Sequence, residues 1–302
     1  MLERPLEDHP AVIALRVVVF IVASLGNGFI IFLVIRCKRL RNERFNLLLV
    51  LLALGDIILC MNIPVRLIAE LVTDGIKWRF TCLGVESLTI YGDFVTQNSM
   101  HFVAMDRLNV VSKLHRINPK NLYYVYASAI PLVLLVSLIP PGFLFYGVEN
   151  TEIERCQINV VWNKNYAFFQ ASIYIFFNIS IIGSYLLIVV KYKLQMRARG
   201  NAILRSTQVS FNRIVIGIVL VYFLMWCIPK WVTLSLRMAS VGGLPFQISS
   251  FSIVQCEMLS ACLNVLVYGY AHRDLREAMK TFLRRVVHGH TGSVQSSLRI
   301  AS

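Results

Sequence analysis

Two long stretches of this chain carry no charge: Leu122–Val148 and Tyr166–Val190 contain no Asp, Glu, Lys or Arg. A helix crosses a hydrocarbon core with about 20 apolar residues, and both stretches exceed that length. The same pattern, followed along the chain, gives seven spans: Ala11–Ile35, Phe45–Leu71, Cys82–Val111, Leu122–Tyr146, Tyr166–Val190, Arg213–Leu236 and Phe246–Tyr268. Within a bilayer every backbone N–H and C=O must be bonded inside the protein, which favours helices. The alternating ten-residue segments of a barrel are absent. The pattern predicts an all-α membrane protein, a seven-transmembrane helix bundle. Beyond the last span, His272–Arg285 places Leu275, Ala278, Met279, Phe282 and Leu283 on one face, as expected of a short amphipathic helix on a lipid surface.

Composition agrees. Of 302 residues, 57% are hydrophobic and 15% charged, with mean hydropathy +0.64. Soluble domains carry about 25% charged residues, so a soluble enzyme and a disordered chain are excluded. The first span is not expected to be a cleaved signal peptide, because it is long and follows Glu3, Glu7 and Asp8.

The net charge of +14 gains meaning once the basic residues are placed. Twenty of the 30 Lys and Arg fall in the loops after spans one, three and five, at the start of span six and in the tail. The positive-inside rule then puts the N-terminus outside and the C-terminus in the cytoplasm of a multi-pass plasma-membrane protein. Residues 1–10 become an extracellular N-terminus, 11–268 the receptor-like bundle, and 269–302 the amphipathic helix and cytoplasmic tail. The basic collar faces membrane lipids and a cytoplasmic partner, and no nucleic acid is required. Of seven cysteines, only Cys82 and Cys156 fall at the oxidising face, so one disulfide between them is the economical reading.

Five of the spans also carry a polar landmark at a depth where such groups are costly. Span one has Gly26-Asn27, span two Leu54-Gly55-Asp56, and span three ends Asp106-Arg107-Leu108. Span six has Phe223-Leu-Met-Trp226-Cys227-Ile-Pro229, and span seven Asn264-Val-Leu-Val-Tyr268. Joint order and spacing resemble the rhodopsin-like (class A) G-protein-coupled receptors along the whole chain. Cys82 precedes Arg107 by 25 residues, and Tyr268 precedes the apolar Leu275 by seven. The Lys38-Arg-Leu-Arg41 loop, the Asp-Arg-Leu triplet and the proline-free seventh-span motif look most like nematode serpentine chemoreceptors of the Srsx type.

The resemblance implies roles. Asp56 would join Asn27, Thr96, Ser260 and Asn264 in a cluster able to hold a sodium ion as an allosteric ligand, or else a hydrated hydrogen-bond network. No other cofactor is expected. Arg107 would pair with Asp106 at rest, then extend toward Tyr185, Tyr268 and a heterotrimeric G protein. An acid on span six that latches this arginine in the family is replaced by Val209. Trp226 precedes Pro229 by three residues rather than the family's two. One residue is a rotation of about 100° on an α-helix, so Trp226 is expected to point away from the family direction, with Phe223 retained below it.

Glu86, Thr89, Asp93 and Gln97 form one stripe of span three, at helical spacing. Arg66, Lys230 and Glu257 add charges near that depth. Either they contact a polar or charged extracellular ligand, or Lys230 pairs with Glu257 and Arg66 with Glu86. The reading is a non-enzymatic G-protein-coupled receptor, for a small polar molecule or short peptide, that acts by population shift. The alternatives are a non-signalling receptor-like protein or a multipass transporter, although no internal repeat or broken-helix pair marks the latter.

Overall fold

The computed structural model describes residues 9–73, 76–112, 119–153, 156, 162–199, 217–241, 243–271 and 273–287. Its helices are α1 (Pro10–Arg36), α2 (Lys38–Arg41), α3 (Arg44–Cys60), α4 (Asn62–Val72), α5 (Arg79–Ser112), α6 (Pro119–Val136), α7 (Ile139–Leu144), α8 (Lys164–Arg199), α9 (Gly217–Met238), α10 (Leu244–Ala271) and α11 (Arg273–Val287). No strand occurs among the described residues beyond an isolated antiparallel bridge between Trp78 and Glu152. The second span is α3 with α4, and the fourth is α6 with α7, broken at Ser137-Leu138 just before Pro140-Pro141. The other spans match α1, α5, α8, α9 and α10. The fold is a seven-span helical bundle with a short eighth helix.

Five of these segments are long and apolar enough to cross a membrane, and α5 is not among them. The reason is positional. α5 is the central helix, with Glu86, Asp93, Gln97 and Asp106 all buried against neighbouring helices rather than presented to lipid. Leu25, Ile179 and Leu266, on α1, α8 and α10, face outward instead, as lipid-facing residues should. Two glycines set the approach of α3 to α5. A Cβ on Gly92 would lie 2.4 Å from the Leu59 backbone nitrogen, and one on Gly55 would lie 2.9 Å from that of Thr96. Only a missing side chain permits backbones so close.

One end of the bundle carries the Cys82–Cys156 disulfide. There the Trp78–Glu152 bridge, with Ile153 N–H donating to the Lys77 carbonyl at 2.8 Å, holds the loop after α7 against the start of α5. The opposite end carries Arg107 and α11. Leu275 of α11 is fully buried, and Phe282 packs at 5.4 Å and 5.6 Å, centroid to centroid, on Phe29 and Phe32 of α1. Much of the apolar face of α11 is thus docked on protein, and Leu283 stays exposed. An ion pair of 2.9 Å between Arg39 and Asp274 ties α11 to α2. Val209 lies outside the described residues.

α9 departs from regular helix. Phe223–Cys227 forms a π turn, which holds one residue more than an α turn, immediately before Pro229. Trp226 is 1% exposed and faces the bundle, stacked on Tyr222 at 6.3 Å, with its Nε1 donating to Ser260 Oγ at 2.9 Å. Trp226 thus faces the bundle interior, and because a π turn holds one residue more than an α turn, a count at about 100° per residue does not fix a direction across it. The same turn displaces Phe223, which is 37% exposed and packs edge-on against Trp231 at 6.1 Å. Phe223 therefore does not serve as the inward ring beneath the tryptophan. Tyr222 does.

Candidate functional site

An open cavity, about 820 Å³ when its solvent-filled mouth at the disulfide end is included, lies between α5, α8, α9 and α10. Thr89 and Asp93 of α5, Tyr174 of α8, Lys230 of α9 and Glu257 of α10 line it. These side chains converge because each helix turns its polar stripe inward, where the only alternative to a partner is lipid.

Lys230 is the hub. Its Nζ lies 3.1 Å from Asp93 Oδ1 and 2.9 Å from Glu257 Oε1. The same ammonium sits 3.8 Å from the ring centroid of Tyr174 and 4.4 Å from that of Trp226. Asp93 also accepts from Gln97 Nε2 at 2.9 Å and from the Tyr174 hydroxyl. Behind Tyr174, Gln170 donates its amide to that hydroxyl and accepts from Tyr166 at 2.9 Å. A buried ammonium is tolerable only with such compensation, and here two carboxylates and two aromatic faces supply it. At the edge of the π turn, Asn178 Oδ1 accepts from Tyr222 at 2.7 Å, while its Nδ2 has no hydrogen-bond partner.

Arg66 and Glu86 do not share this cavity. They line a second one with Arg16, Asn62 and Glu70, between α1, α4, α5 and α10. Arg66 pairs with Glu70 at 2.9 Å and Glu86 at 3.3 Å, and donates to the Cys156 carbonyl at 3.1 Å. Thr89 donates to Glu86 at 3.4 Å, so it stands between the two chambers. Both ion pairs weighed from the sequence, Lys230 with Glu257 and Arg66 with Glu86, are present.

Deeper in the bundle, Asp56 is fully buried and accepts from Asn264 at 3.0 Å and Thr96 at 3.5 Å. Ser260 is engaged by Trp226, and Asn27 donates to the carbonyls of Ala23 and Ala261 at 3.0 Å and 3.1 Å. A hard cation needs oxygen donors. Asp56, Thr96 and Ser260 provide them, whereas Asn27 and Asn264 present amide N–H groups to their recorded partners. The residues thus fit a cation in part.

At the opposite end, Arg107 pairs with Asp106 at 2.9 Å and lies 3.8 Å from the Phe45 ring centroid. Tyr185 and Tyr268 are buried nearby in the bundle, their hydroxyls without hydrogen-bond partners. No group of three or more His, Cys, Asp or Glu suited to a metal occurs among the described residues.

Sequence reasoning missed Arg16, Phe45, Gln170 and Tyr174. Arg16 was visible as a charge inside an apolar span. The tyrosine and glutamine were not, because both also occur as ordinary residues near helix ends.

Comparison with known proteins places this geometry in context. A family model described as serpentine type 7TM GPCR chemoreceptor Srsx matches residues 20–283. The chain is 23% identical to the C3a anaphylatoxin chemotactic receptor of Danio rerio, over 88% of this chain and 73% of that one. It is 22% identical to melatonin receptor type 1B of Mus musculus, over 91% of this chain and 78% of that one.

Proposed function

This chain belongs to the Srsx family of serpentine seven-helix chemoreceptors of the G-protein-coupled kind, and from that premise we propose that it binds an extracellular ligand between α5, α8, α9 and α10 and activates a heterotrimeric G protein. It is a multi-pass membrane protein. Its N-terminus faces outward and the Arg107 end faces the cytoplasm, in keeping with the concentration of Lys and Arg in the loops at that end.

The observation that carries this reading is the position of Lys230. It stands one residue after Pro229 and three after the π turn ends, and it bonds both α5 and α10. A ligand that alters those bonds acts on the irregular part of α9. Irregular helix has alternative packings available, so its equilibrium is open to bias. The ligand need only bind one arrangement more tightly than the other to shift the population. At the cytoplasmic end, Arg107 is the residue proposed to meet the G protein once it leaves Asp106 and Phe45. Asp56, with Thr96 and Asn264, forms a polar joint between these two regions, and a sodium ion held there would favour one arrangement.

The test is guanine-nucleotide exchange on purified heterotrimeric G proteins, with the full chain in lipid nanodiscs. Exchange above that of empty nanodiscs, lost in Arg107→Ala, is expected. Absence of exchange across a panel of G-protein subtypes, with and without a ligand library, would leave a receptor that binds without signalling.

A further inference from the structure

The charges at the floor of the main cavity do not balance. Asp93 and Glu257 are two carboxylates, and among the described residues Lys230 is the one ammonium that contacts them. Arg237 lines the same cavity, but at its exposed mouth, seven residues along α9. That separation is about 10 Å at helical rise, too far to neutralise the floor directly. The floor therefore has room, electrostatically, for a second cation.

It also has the surroundings one requires. Tyr174 and Trp226 already present ring faces to a cation. Glu257 Oε1 meets Lys230 at 2.9 Å and has no other partner among the described residues. Four residues beyond Tyr174 on α8, Asn178 lines the cavity with a buried Nδ2 that donates to nothing. A buried donor left without an acceptor is destabilising, so an acceptor brought to it is a net gain. Ile90 and Trp231 supply apolar wall.

We propose that the ligand of this cavity is a protonated amine with an oxygen acceptor. Its ammonium joins or replaces Lys230 between Asp93 and Glu257, and its acceptor receives the Asn178 amide. Displacing Lys230 removes the ties of α9 to α5 and α10 next to the π turn, which makes such a ligand an activator. The inference deepens the receptor reading and rests on it for that last step; the binding step stands on the cavity alone. An anion would instead recruit Lys230 away from its carboxylates, leaving both unpaired in the bundle, a far costlier arrangement.

The experiment uses the full chain in nanodiscs, with thermal melting as the binding readout and nucleotide exchange as a separate one. The probes are phenethylammonium, its para-hydroxyl derivative and the carboxylate isostere phenylpropanoate. Both ammonium probes are expected to raise the melting temperature, the hydroxylated one more, and phenylpropanoate to leave it unchanged. Asp93→Asn should weaken ammonium binding about 30-fold or more, as loss of a buried charge partner does. Should that variant fail to fold, Glu257→Gln carries the same expectation. Asn178→Val should erase the advantage of the hydroxylated probe, and Lys230→Met, which removes the tethered competitor, should tighten both ammonium probes.

Stabilisation by phenylpropanoate, ammonium binding indifferent to both carboxylate variants, or no response of wild type and Lys230→Met to either ammonium probe would each overturn the proposal. Exchange activity that persists through any of these results leaves the receptor reading intact. Ammonium binding without exchange on any G protein rejects that reading and keeps the ligand class.

Discussion

Arg107 reaches back across the bundle to Phe45, its guanidinium carbon 3.8 Å from the ring centroid at the first turn of α3. The ring and Asp106 together hold the arginine against α3 and α5. A cation over an aromatic face contributes about 0.5–1 kcal/mol at a partly wet site. In the absence of a span-six acid, for which Val209 stands in the sequence, this contact is the natural substitute for a latch.

Phe45→Ala should therefore raise ligand-free signalling. Loss of about 0.5–1 kcal/mol changes a two-state ratio by about two- to fivefold. Nucleotide exchange at matched surface expression checks this, and unchanged basal exchange would show that the ring restrains nothing. Val209→Glu, which restores an acid, should lower the same basal signal.

Arg107→Ala is expected to abolish exchange while leaving surface expression close to wild type, because Arg107 lies near the end of α5 rather than in its apolar centre. Wild-type exchange by this variant would remove Arg107 from the coupling role.

On α9, the inward pair is Tyr222 with Trp226, and Phe223 faces out. Trp226→Ala should impair signalling at matched expression, since it removes the stack and the bond to Ser260, whereas Phe223→Ala should change it little. Equal losses in the two variants would contradict the register given to this helix.

Gly92→Val should cost most of the folded receptor, as any Cβ there meets the Leu59 backbone at 2.4 Å. Overpacking of this kind typically costs about 1–3 kcal/mol, and a backbone contact leaves little room to relax. Gly84→Ala on the same helix, where a Cβ meets nothing within 4 Å, is the control. Surface expression and melting temperature of the two variants give the comparison.

Non-reduced peptides from the purified chain should contain Cys82 joined to Cys156, with Cys37, Cys60, Cys227, Cys256 and Cys262 free. Recovery of Cys82 and Cys156 as thiols would contradict the bridge.

The membrane spans could be read from the sequence because lipid imposes a one-dimensional rule: length and apolarity suffice. Asp56, Asp93, Lys230 and Glu257 were equally visible, since a charge within such a span has few places to go except inward. Their allocation to chambers was not. Glu86 shares a stripe with Asp93, and Arg66 a depth with Lys230, yet Arg66 and Glu86 line a different cavity. The direction of Trp226 was also illegible, because counting residues presumes a constant turn and a π turn has no composition signature here. Phe45 was missed for a simpler reason: an aromatic at the start of an apolar helix reads as core, and only the folded chain brings an arginine to its face.

The irregular turn of α9 bears on how this chain is compared with others. A helix that takes in one extra residue within Phe223–Cys227 keeps its two halves in place while shifting the numbering between them. Counting residues back from Pro229 at a regular helical turn then misassigns the inward ring, which is Tyr222 and not Phe223. By the same reasoning, deletion of one residue within the turn is the kind of length change this span can absorb by becoming regular, whereas a deletion in the unbroken centre of α5 would rotate every buried carboxylate beyond it by about 100°.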